Sequence, residues 1–120
     1  MISIRRVYDP PIRGEGRRFL VDRLWPRGIR KEQLGRHRWV PEVAPSPELR
    51  LWFGHNPARW RQFQQRYLGE LRGCTDATAP LLAAARKGPV VLLFAATDRV
   101  HNNAVVLRGH LERRLAQPRP

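Results

Sequence analysis

A chain of 120 residues with 42% hydrophobic content is long enough for one packed domain and too apolar for global disorder. No apolar run approaches the roughly 18 residues of a membrane span, residues 1–6 lack the apolar core of a signal peptide, and the single cysteine, Cys74, excludes an intrachain disulfide and a cysteine metal cluster; the expectation is a soluble, cytosolic protein. The net charge of +13 has the footprint of a polyanion binder, but 21 of the 23 basic residues are Arg, as biased genomic base composition also produces, and the excess falls at both ends with no block of five or six like charges.

In chain order, residues 2–8 alternate through Ile2 and Ile4 and predict a strand, stopped at Asp9-Pro10-Pro11 because proline cannot donate to a ladder. Gly14 and Gly16 mark a turn. Residues 18–25 predict a second strand ended by Pro26-Arg27-Gly28, and a short helix fits 31–35. Ser46-Pro47-Glu48-Leu49 is a helix start, with a capping hydroxyl, a proline in the first turn and an acid. Gly54 can close that helix in a left-handed conformation. Asn56-Pro57 repeats the start signal, and Trp60, Phe63, Tyr67, Leu68 and Leu71 follow at helical spacing. An Ala- and Leu-rich stretch at 79–87 predicts a third helix, stopped by Gly88-Pro89. The unalternating run at 90–96 reads as a strand buried on both faces, as in a parallel sheet. A polar loop leads to a last helix at 103–116, with Ala104, Leu107, Leu111 and Leu115 inward. The result is an α/β fold: one small layered domain at 1–116, a mostly parallel sheet flanked by helices, and a loose tail at 117–120.

In open α/β sheets ligands bind beyond the carboxyl ends of the strands, where residues 22–28 and 97–103 fall. Arg23 and Arg27 can clamp a phosphate or carboxylate; Arg23 can instead pair with Asp22 or Asp98 and tie the loop down. Trp25 offers a stacking face or a core ring. Arg50 can join the same basic pocket or lie on a helix surface. Asn102 and Asn103 open a helix whose free N–H groups suit an anion, although Asp98 and Asn102 serve equally as caps. His55, in an interhelical turn, is an acid–base candidate or a cap; His101 is the better placed. The candidates are therefore Asp22, His55, Asp98 and His101 for catalysis, and Arg23, Trp25, Arg27, Arg50, Asn102 and Asn103 for ligand binding. The four histidines (His37, His55, His101, His110) lack metal-ligand spacing, and no metal or cofactor is expected. Gly14-Glu15-Gly16-Arg17-Arg18-Phe19 begins like a dinucleotide fingerprint but lacks the third glycine and precedes a strand.

Residues 6–11 (RVYDPP) and 20–28 (LVDRLWPRG), with Trp52-Phe53-Gly54-His55 and the closing run His101-Asn102-Asn103-Ala104-Val105-Val106-Leu107, resemble the DUF488 family in its short YeaO-like branch. The resemblance runs from about residue 4 to 115. It implies a family of unknown function with no catalytic residue to carry over. The longer branch has cysteines at positions matching Phe94 and Asn102, so the resemblance gives no ground for thiol or metal chemistry here. Val91 and Phe94 stand where Thr and Tyr are common in the short branch.

Three functions stay open: a site for a small anionic ligand, with or without catalysis; a nucleic-acid binder using the basic surface, without a helix-turn-helix, RRM or zinc signature; and a non-catalytic interaction domain whose arginines pair internally. No membrane partner is expected.

Overall fold

The computed structural model describes residues 1–34 and 38–117. Four strands, β1 (Ile2–Arg6), β2 (Arg17–Leu20), β3 (Arg38–Trp39) and β4 (Val90–Phe94), form one sheet in the order β1-β4-β2-β3. Each neighbouring pair is parallel; Leu92 of β4 stands between Ile4 and Phe19. The helices are α1 (Lys31–Leu34), α2 (Pro47–Phe53), α3 (Trp60–Arg72), α4 (Thr75–Lys87) and α5 (Asn103–Ala116).

The apolar run at β4 takes a central position because all five of its side chains are buried. Alternation splits them between two faces. Val90, Leu92 and Phe94 join Ile2, Phe19 and Val21 against the inner faces of α2 to α5, including Phe53, Tyr67, Leu81 and Leu107. Val91 and Leu93 join Val7 and Leu20 on the opposite face, covered by Trp25, Ile29 and Ala95. The helical layer thus gathers on one face, and the irregular segment after β2 seals the other. Each large aliphatic side chain so buried contributes about 2 kcal/mol of transfer free energy.

Local signals set the helix ends. The Ser46 hydroxyl accepts the Leu49 N–H at 3.2 Å, and Gly54 closes α2 at φ +52°. Asn56 caps the 3-10 turn that leads into α3. Asn102 accepts the Val105 N–H at 3.1 Å and opens α5.

Several boundaries differ from expectation. The second strand ends at Leu20, not at residue 25. Past Val21 the Asp22 carboxylate, not a main-chain carbonyl, receives the Ala95 N–H, and the chain turns away over the sheet. β1 ends at Arg6, where the Asp9 carboxylate takes the Arg6 N–H. β4 stops at Phe94 because Arg6 binds the Ala95 and Ala96 carbonyls. α4 begins at Thr75, four residues early; Pro80 is its sixth residue, and the Thr78 N–H already bonds the Cys74 carbonyl. β3 was not foreseen. His37 and the tail residues 118–120 lie outside the described residues; the Gln117 N–H still bonds the Arg114 carbonyl.

His110, on the inner side of α5, is 7% exposed, and its Nε2 has no hydrogen-bond partner among the described residues. Burial first, then the charges of Arg114, Arg113 and Arg72, push its pKa below 6.5. The unfolded chain therefore takes up this proton first, and folding stability falls as pH drops from the unfolded value toward the lower folded one. Urea midpoints measured from pH 7.5 to 5.5 should fall, and His110→Leu should flatten that slope; an unchanged slope in the variant would refute the assignment.

Candidate functional site

The carboxyl ends of β2 and β4 splay around Asp22. Its Oδ2 accepts the Ala95 N–H at 2.9 Å, and its Oδ1 accepts the Asn103 side-chain amide at 3.1 Å. The same amide nitrogen donates to the Val21 carbonyl at 3.1 Å. One carboxylate thus joins the ends of two strands to the start of α5. Burial raises the Asp22 pKa, opposed by the Asn103 and Ala95 hydrogen bonds and by the charge of His55.

The loops around this point are pinned. Arg6 holds the Ala96 and Ala95 carbonyls at 2.8 and 3.0 Å. Arg99 grips Asp9 through two bonds of 2.9 Å, and that pair, with the Arg6 N–H, holds the Asp9 carboxyl at about 2. Across the cleft, Arg23 donates from Nε to the Pro45 carbonyl and from Nη2 to the Ala44 carbonyl, both at 3.1 Å. The buried Tyr67 hydroxyl donates to the Val43 carbonyl. Glu70 receives the Ser46 N–H at 2.8 Å and the Ser46 hydroxyl at 2.6 Å. Residues 43–46 are thereby fixed from α3 and from the loop after β2, and they set the position of α2.

Between these walls lies a cleft of about 540 Å³. Nine of the ten sequence-derived candidates line it: Asp22, Arg23, Trp25, Arg27, Arg50, His55, His101, Asn102 and Asn103. Asp98 stands behind His101 instead. Its Oδ1 accepts the His101 and Val100 N–H groups, and its Oδ2 meets His101 Nδ1, each at 2.9 Å. These bonds, the His101 N–H foremost, hold the Asp98 carboxyl at about 2. An ionised carboxylate only accepts, so His101 Nδ1 carries a proton toward Asp98 and Nε2 is the ring nitrogen left for other partners. The His101 ring packs edge-on against Trp60, centroids 5.2 Å apart.

The candidates separate by what already occupies them. Arg23 has spent two nitrogens on carbonyls and ties the loop, though to residues 44–45 and not to an aspartate. Asn102 is a cap, its oxygen on Val105 and its nitrogen on the Asp98 carbonyl. The Trp25 N–H bonds the Ile29 carbonyl at 2.6 Å, and the ring meets Trp39 edge-on at 5.4 Å. His55 adopts φ +57°, beside Phe53. Arg27 and Arg50 are exposed, and neither side chain bonds or pairs with another described residue. The cleft also takes aromatic walls from Tyr8, Phe53 and Phe63. Phe53 and Phe63 also belong to the core, at 6% and 2% exposed; Tyr8, 42% exposed, is the lining ring that the sequence, which places it in the first strand, does not single out. Among the described residues no three His, Cys, Asp or Glu side chains gather as a metal site, and no helix is long and apolar enough to cross a membrane.

The family model described as "Inactive DUF488-N3 subclade" matches residues 1–119. The uncharacterised protein YeaO of Escherichia coli is 42% identical over 110 residues, covering 92% of this chain and 96% of that protein. Uncharacterised proteins of Mycobacterium bovis and Mycobacterium tuberculosis are 38% identical over 106 residues, 88% of this chain and 89% of theirs. No solved structure matches.

Proposed function

The chain belongs to the DUF488 family, in the subclade described as inactive, and on that premise we propose that it is a binding protein whose strand-end cleft takes a small anionic ligand, bearing a phosphate or carboxylate. The observation that carries this is the pair Arg27 and Arg50: two guanidiniums on one pinned cleft, without partners among the described residues. Charge-assisted bonds to an oxyanion are what such groups form. The positions matching thiols of the longer branch also suit binding without thiol chemistry, since Phe94 is in the core and Asn102 caps α5.

One observation favours a second reading, in which the ligand is also turned over. The Asp98–His101 pair orients an imidazole whose Nε2 can act as a general base. The description of the subclade weighs against it, and binding is the conclusion.

The test is thermal stability against added inorganic phosphate or citrate at constant ionic strength. A ligand that binds only the folded chain raises Tm with concentration. The wild type should show that rise, and the double variant Arg27→Ala/Arg50→Ala should lose it. An equal rise in both proteins would place the anion elsewhere and refute the proposal.

A further inference from the structure

We infer that the ligand is a free nucleoside monophosphate, with its base between the aromatic walls and its phosphate at the rim; this rests on the anion-binding reading above and specifies its ligand. The two walls are built alike. On one, Trp25 is followed two residues later by Arg27. On the other, Arg50 and Phe53 sit three residues apart on α2, so guanidinium and ring share a side of the helix. Each wall thus pairs a flat ring with a cation. The cations are exposed, whereas of the lining rings Trp25 is half-buried and Phe53 is buried.

The inner end has the opposite character. Asp22 is half-buried there, each oxygen already accepting one hydrogen bond. A carboxylate oxygen can accept a second, so the floor of the cleft offers acceptors to a donor. A ligand that satisfies both ends is anionic outside and carries N–H donors inside. Its middle is flat and apolar enough to lie against aromatic rings. Inorganic phosphate alone meets only the first requirement. The volume of about 540 Å³ falls within the range of roughly 300–1,000 Å³ typical of small-molecule pockets. A phosphate joined through a sugar to a heterocycle with ring N–H or amino groups meets all of these demands.

Isothermal titration with AMP, GMP, CMP and UMP, against adenosine, ribose 5-phosphate and inorganic phosphate, tests this. At least one mononucleotide should bind about tenfold or more tightly than ribose 5-phosphate. Arg27→Ala and Arg50→Ala should each weaken that mononucleotide about tenfold, as loss of a charge-assisted hydrogen bond implies, while leaving the nucleoside unaffected. Both side chains are exposed, so the variants should fold. If ribose 5-phosphate binds as tightly as every mononucleotide, the base contributes nothing and this inference falls while the anion site stands. If no anion binds, both fall. Tighter binding of a 5′-phosphorylated single strand than of any mononucleotide would overturn the inference in favour of a nucleic-acid surface.

Discussion

Gly16→Ala should cost about 3 kcal/mol or more of folding stability, the largest loss expected from adding one methyl group to this chain. Gly16 stands at φ +99°, and a Cβ built there would lie 2.1 Å from the Pro89 carbonyl oxygen and 2.5 Å from its carbon. That oxygen accepts the Arg17 N–H at 3.1 Å, the bond that leads into the pairing of β2 with β4. No side-chain rotation relieves the clash, because both partners are backbone. The chain must give up the bond or shift the register that sets Arg17 opposite Val90. Gly14→Ala is the control. Gly14 also has positive φ, +81°, but nothing lies within 4 Å of its Cβ position, so conformational strain alone should cost about 1–2 kcal/mol. Urea unfolding of the two variants separates clash from strain. Equal losses would mean that β2 does not approach Pro89 as described.

Glu70→Ala should cost about 3 kcal/mol and lower Tm by about 10 °C. The carboxylate is the partner of both the Ser46 N–H and the Ser46 hydroxyl. Truncation leaves the N–H without its acceptor at the point where Ser46 opens α2. Glu70→Gln keeps one acceptor oxygen and should cost roughly half as much. The effect reaches the cleft because α2 carries Arg50 and Phe53. Anion affinity should therefore fall in Glu70→Ala although Glu70 does not line the cleft. A change in thermal midpoint of less than about 2 °C would show that Ser46 is not held by α3.

What the sequence revealed and what it concealed divide along a physical line. β4, α5 and the start of α2 were legible because their causes are local. An unbroken apolar run, an Asn before a helix and a Ser-Pro-Glu start each act within a few residues. The early end of β2 was not legible, since Asp22 captures an N–H group 73 residues away. β3 is two residues long, too short for any alternation. Pro80 masked the first turn of α4. The placing of helices on one face depends on how the segment after β2 folds back to bring Trp25 and Ile29 onto Leu93.

The site divides in the same way. The general rule for strand ends located seven of the nine candidates that line the cleft; Arg50 and His55 came from the helix and the turn after it, and roles within the site followed tertiary partners. Arg23 reads in sequence like Arg27, yet Arg23 is held by the Pro45 and Ala44 carbonyls, whereas the Arg27 side chain has no partner among the described residues. Asp98 reads as a site residue, yet its bonds make it the support of His101. Of the arginines behind the +13 charge, three line the cleft, and two of those, Arg27 and Arg50, have no side-chain partner among the described residues.

The most direct test of the central claim is amide chemical-shift mapping of the full chain during titration with inorganic phosphate at constant ionic strength. Saturable shifts should concentrate at residues 22–28, at Arg50 and at residues 95–103, with little change along the outer faces of α3 and α5. Shifts spread over outward arginines such as Arg61, Arg108 and Arg113, or no saturable shift at the cleft, would contradict that claim.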